Sequence, residues 1–100
     1  MSRTVWKFEL AIEDEGTVVK LGAPKPVLVG LDPFGVQCVW IEHDTDSPVE
    51  IHRYHVHGTG HPIGDGETHV GSFVSGQFVW HVYTERDLTA EAVEFFRSPT

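Results

Sequence analysis

A chain of 100 residues is one domain, residues 1–100, that buries roughly 65% of its unfolded surface around a single modest core. Fifteen acids against seven Lys and Arg leave a net charge of −8, which argues against an electrostatic grip on DNA, RNA or anionic lipid. The single cysteine, Cys38, excludes an internal disulfide and an all-Cys zinc site, and no apolar run approaches the ~18 residues of a membrane span.

The opening Met1–Lys7 lacks the apolar stretch of a signal peptide, so a reduced, cytoplasmic-type compartment is expected. Thr4–Ala11 alternates, with Trp6, Phe8 and Leu10 on one face and Val5, Lys7 and Glu9 on the other, and reads as a strand. Glu13–Gly16 reads as a charged turn and Leu21–Pro26 as a loop. Asp32-Pro33-Phe34-Gly35 has the residue order of a type I turn, so Pro26–Leu31 and Val36–Glu42 should form an antiparallel hairpin. The second of these strands is apolar on both faces and is expected to be central or covered on both sides. Cys38 within it is expected to be buried as a small hydrophobe.

Val49–His57 reads as a long strand. Gly58–Glu67, with its glycines and a proline, reads as an ordered loop in which the His61 ring is expected to bond to backbone. His69–Val74 and Gln77–Thr84 flank Ser75-Gly76 and read as a second hairpin. Trp6, Trp40 and Trp80 fall mid-strand and are expected in the core; an exposed tryptophan would instead mark an interface. Only the C-terminus reads as helical, over about 89–97. Thr89 is its expected N-cap, Leu88 and Val93 stand at staple positions, Glu91 lies in the first turn, and Pro99 ends it. The strands therefore lie within 4–84. The expected fold is mainly β: a small antiparallel sandwich or partly open barrel of six to seven strands with one short C-terminal helix.

Seven histidines are the anomaly of the composition. His55 and His57 share a face of one strand, about 6.5–7 Å apart, and with His61 or His81 they could hold zinc or another first-row metal. Histidines on a half-exposed strand are more economically surface residues that hydrogen-bond either way, so His52, His55 and His57 are expected on the surface. His81 is expected to make a fixed structural hydrogen bond. The expectation is thus no cofactor, zinc being the one the histidines could otherwise take. The His-x-His pattern invites comparison with cupins, but the positions of their glutamate ligand hold Gly58, Thr59, Gly60, His61 and Pro62.

Gly58-Thr59-Gly60 is too short for a phosphate loop, and no serine or cysteine stands in a nucleophile context. No residue set supports a named reaction, so no catalytic residue is assigned and no enzyme activity is expected.

Gly58-Thr59-Gly60-His61-Pro62-Ile63, Gly71-x-Phe73 and Phe78-Val79-Trp80-His81-Val82, together with Val5-Trp6-Lys7-Phe8-Glu9-Leu10, resemble a family of small uncharacterised proteins of actinobacteriophages and actinobacterial genomes. The resemblance covers about residues 4 to 84. It implies a phage or prophage accessory protein made in the bacterial host cytoplasm, with a virion component as the alternative, and it implies no chemistry. Such a protein is expected to act by binding a host or phage partner or a small ligand, as a homo-oligomer. Phe95 and Phe96 on the terminal helix need cover, so that helix or an exposed strand edge is expected to meet a second copy. No nucleic-acid or membrane partner is expected.

Overall fold

The structure is a computed structural model that describes residues 2–97. Pro99, the expected end of the helix, lies outside the described residues. Seven strands run in chain order: β1 Arg3–Glu9, β2 Thr17–Gly22, β3 Lys25–Leu31, β4 Gln37–Asp44, β5 Val49–Gly58, β6 Thr68–Ser75 and β7 Phe78–Arg86, followed by helix α1, Leu88–Arg97. They form two antiparallel sheets, β1-β4-β3 and β2-β5-β7-β6.

The turn chemistry explains both expected hairpins. In the β3–β4 turn the Asp32 carbonyl accepts from Gly35 N–H at 2.9 Å, and its carboxylate accepts from Phe34 and Val36 N–H at 2.9 and 3.0 Å. Gly35 takes φ 81°, which a residue with a Cβ rarely adopts. The β6–β7 turn places Gly76 at φ 61° with Gln77 after it, the arrangement in which a two-residue loop matches strand twist.

Period-2 alternation then builds the core between the sheets. Val39 and Ile41 of β4 face Tyr54 and Val56 of β5, Val82 of β7 and Phe73 of β6, with Leu10, Val19 and Leu21 closing the side. The strand apolar on both faces is β4, and it is the central strand of its sheet. Cys38 is fully buried on its outer face, and burial pushes its thiol pKa up. At one side the sheets meet at β3 and β6, so closely that a Cβ on Gly71 would lie 2.6 Å from Val29 Cγ2. β1 and β2 are the edge strands at the other side.

Three expectations need correction. The expected loop Leu21–Pro26 shrinks to Ala23-Pro24, because Leu21 and Gly22 end a strand, β2, that the composition of the loop concealed. Ala23 carries the turn at φ 43°. Trp6 is not in the core: 52% of it is exposed, and Trp40 lies half-buried on an outer face, while Trp80 packs partly buried against the core. The N-cap of α1 is Asp87, not Thr89. Asp87 Oδ1 accepts from Ala90 N–H at 2.9 Å and its carbonyl from Glu91 N–H at 3.1 Å, which satisfies donors of the first turn. Arg86 and Glu91, on either side of the cap, then make a bidentate ion pair in place of the expected Leu88–Val93 staple.

Candidate functional site

The register of the four-stranded sheet gathers a set of polar rings on its outer face. His55 stands opposite Tyr83 and His57 opposite His81 across β5 and β7; His69 stands opposite Tyr83 and Ser72 opposite His81 across β6 and β7. Because strand side chains alternate, these residues point away from Val56 and Val82 in the core. The His55 and His57 rings stack at 6.0 Å, and Tyr83 takes His57 and His69 on its edges at 5.7 and 5.1 Å.

Each imidazole on β5 is held by a carboxylate. His55 Nε2 lies 3.2 Å from Glu85 Oε1, and His57 Nε2 lies 2.7 Å from Glu67 Oε1. His52, nearer the start of β5, lies 2.9 Å from Glu50 Oε1. All three histidines are half-buried, and each is paired with a carboxylate. The side chain of Glu67 is only 8% exposed. Burial raises its pKa, but hydrogen bonds from His57 and from the Gly64 N–H outweigh that and hold the carboxyl below its ordinary value.

His81 is fixed at both nitrogens, as expected. Its Nε2 lies 2.9 Å from Thr59 Oγ1, and Thr59 Oγ1 donates to the Val79 carbonyl at 3.4 Å. The Thr59 oxygen therefore accepts from His81 Nε2–H, which leaves Nδ1 as the acceptor of the neutral ring. Ser72 Oγ donates to that Nδ1 at 2.7 Å and accepts from His69 Nε2 at 3.1 Å. A directed chain results: His69 to Ser72 to His81 to Thr59 to the Val79 carbonyl. The Ser72–His81 pair resembles the front half of a nucleophile and base, but a hydroxyl, not a carboxylate, stands behind the imidazole. The chain lies on an open sheet face, and its hydroxyls are already in use. The arrangement orders the side chains of this surface.

The loop motif Gly58-Thr59-Gly60-His61-Pro62 sits at the end of β5. Gly60 turns at φ 91° and His61 N–H donates to the Gly58 carbonyl at 3.1 Å. The backbone of His61 makes the loop bond, where the sequence suggested its ring. The ring packs on Gly58, where an added Cβ would lie 3.2 Å from its Cε1 and 3.3 Å from its Nδ1. A cleft of about 360 Å³ is lined by Ile12, His55, His57, His61, Pro62 and Trp80. His81 lies on the face outside that lining, tied to Ser72. Among the described residues no group of three or more His, Cys, Asp or Glu is placed to hold one metal ion.

Helix α1 folds back on its own four-stranded sheet and docks by its charges. Arg86 grips Glu91 through two bonds of 2.8 Å, and Glu91 also accepts from the buried Ile51 N–H at 3.2 Å. Arg53 holds Asp87 at 2.9 Å, and Lys20 pairs with Glu94. No helix residue is buried: Phe95 is 77% exposed and Phe96 83%, their rings in edge contact at 5.6 Å. Beside them runs a groove of about 570 Å³ lined by Val49, Ile51, Leu88, Ala92 and Phe95 together with Glu91 and Glu94. The sequence singled out Phe95, Phe96, Thr59 and the histidines, but not Glu67, Glu85, Ser72 or Tyr83. Those four join the site through cross-strand and loop contacts, and period-2 alternation on β6 and β7 was the only local signal for Ser72 and Tyr83.

The family model of a domain of unknown function, DUF7352, matches residues 1–93, which takes in every strand and most of α1. No curated protein and no solved structure matches the chain. Among the described residues no helix is long and apolar enough to cross a membrane.

Proposed function

The chain belongs to the DUF7352 family, and we propose that it is a non-enzymatic binding protein, a phage or prophage accessory factor of the host cytoplasm. It acts as a homo-oligomer and engages a host or phage protein. One observation carries this reading: α1 is clamped by ion pairs at Glu91, Asp87 and Glu94, yet it holds Phe95 and Phe96 out in solvent beside a groove of mixed apolar and acidic lining. Clamping a helix while leaving its aromatics uncovered is costly for a monomer and useful for a binding anchor, since central aromatic side chains dominate protein interfaces. The resemblance of Gly58–Ile63 and Phe78–Val82 to actinobacteriophage proteins supports the origin. The ordered face supports recognition over catalysis, because the Ser72 and Thr59 hydroxyls are engaged by His69 and His81 and the His55 and His57 imidazoles by carboxylates.

The test compares intact protein with Phe95→Ser/Phe96→Ser, both tagged and expressed in phage-infected host cells. A partner identified by mass spectrometry with the intact protein and lost with the folded double variant is the expected result. An identical partner set for both overturns the assignment of α1 as the anchor. Stoichiometric recovery of the protein in purified phage particles would overturn the accessory role in favour of a virion component.

A further inference from the structure

Strand β1 is an edge built differently from β3 and β6. β3 carries Pro26 and a register shift beside it, and β6 carries a shift between His69 and Gly71; these are the devices that blunt sheet edges. β1 contains no proline, and its ladder with β4 runs without irregularity from Arg3 to Glu9. Lys7, a charge that would discourage a further strand, is tied to Asp32 at 3.0 Å. On the face toward the second sheet, Trp6 is 52% exposed; Val5 on the opposite face is 50% exposed.

The hydrogen-bond parity of this edge is fixed. Leu10 N–H donates to Gln37 and the Ser2 carbonyl accepts from Thr45, so even-numbered residues turn their backbone groups toward β4. Alternation leaves the N–H and C=O of Arg3, Val5, Lys7 and Glu9 directed away from the sheet.

We infer that β1 pairs antiparallel with β1 of a second copy about a two-fold axis at Trp6, giving one continuous six-stranded sheet. In that register Arg3 faces the partner's Glu9 and Val5 faces the partner's Lys7, each as a hydrogen-bonded pair of the outward-directed residues. Trp6 meets the partner's Trp6 at the non-hydrogen-bonded position, where side chains approach most closely. This register pairs the strand along its full length and neutralises both charged ends. Centring the axis on Val5 sets Arg3 against Lys7, and centring it on Lys7 sets Lys7 against itself. Paired with its own reverse, the sequence Arg-Thr-Val-Trp-Lys-Phe-Glu thus matches opposite charges at its ends and Trp6 with itself at its centre. The contact is isologous and closed, so it makes a dimer and not a fibre.

This inference rests on the homo-oligomer reading above and names its interface. The full chain should sediment as a dimer. Val5→Pro removes only an outward N–H and should give a monomer with an unchanged far-UV spectrum. Arg3→Glu should weaken the dimer about tenfold, and Arg3→Glu/Glu9→Arg should restore it. Trp6→Cys should cross-link to itself under mild oxidation, whereas Val5→Cys should not, because only the residue on the axis meets its own copy. A folded Val5→Pro protein that stays dimeric overturns the inference. If Val5→Pro fails to fold, the charge pair decides: no recovery in the double variant overturns it. A strictly monomeric wild type overturns the homo-oligomer reading as well. A dimer indifferent to β1 but lost in Phe95→Ser/Phe96→Ser keeps that reading and overturns only the β1 interface.

Discussion

Replacing Glu91 tests how α1 is held. Its carboxylate closes the Arg86 fork and is the acceptor for the Ile51 amide. The Arg86 arm faces solvent, so screening and rehydration limit what its loss costs. Ile51 is 2% exposed, and stranding its N–H costs about 1–3 kcal/mol. Glu91→Ala should therefore destabilise the domain by about 2 kcal/mol. For a chain of this size that is a fall of about 8–16 °C in Tm. Glu91→Gln keeps an acceptor for Ile51 and loses the charge, so it should fall only part of the way. Hydrogen bonds from Arg86 bring the Glu91 carboxyl down to about 2 from an ordinary 4.5. A lowered folded-state value means the stabilisation is complete above pH 4.5 and fades as pH falls toward 2. Calorimetric melts at pH 7 and across pH 5 to 2 give both quantities. The wild-type and Glu91→Gln curves should converge toward pH 2. A Glu91→Ala protein melting within 2 °C of wild type at pH 7, or a wild-type-to-Gln gap independent of pH, would refute the clamp.

Gly71→Ala should cost about 1–3 kcal/mol by overpacking, since its Cβ would lie 2.6 Å from the stiff Val29 side chain; Val29→Ala should relieve it, and Gly30→Ala, with nothing within 4 Å, should not destabilise. Asp32→Ala strands the Phe34 and Val36 amides of the β3–β4 turn and should lower Tm at neutral pH. The Val36 N–H and Lys7 hold the Asp32 carboxyl below 3.8, so that loss should shrink as pH drops below 3.8, and a loss constant with pH would contradict it. Nitrogen-15 NMR of the neutral protein should find His81 protonated at Nε2 and bare at Nδ1; the opposite tautomer would break the Ser72–His81–Thr59 chain.

What the sequence determined was local. Asp32–Gly35 and Ser75–Gly76 encode their turns in residues that are adjacent in the chain, and alternation around them assigns β3, β4, β6 and β7 without reference to partners. The apolar pattern of Val36–Glu42 likewise points to a strand that is central or covered on both sides, and the sheet order makes β4 central. Tertiary structure decided what depends on register between distant segments. β2 alternates, with Val19 and Leu21 on one face, but its end merges with the Gly22-Ala23-Pro24 loop signal, and pairing with β5 from Val49 to Tyr54 is what marks it as a strand. Glu67 and Glu85 meet His57 and His55 only once loop and β7 are folded beside β5, 10 and 30 residues away in the chain. Trp6 looks like a core residue because alternation places it on the inward face, and the structure leaves it half in solvent because β1 lies at the edge of its sheet. Periodicity tells which face a side chain takes, and only the assembled sheets tell whether anything lies across from it.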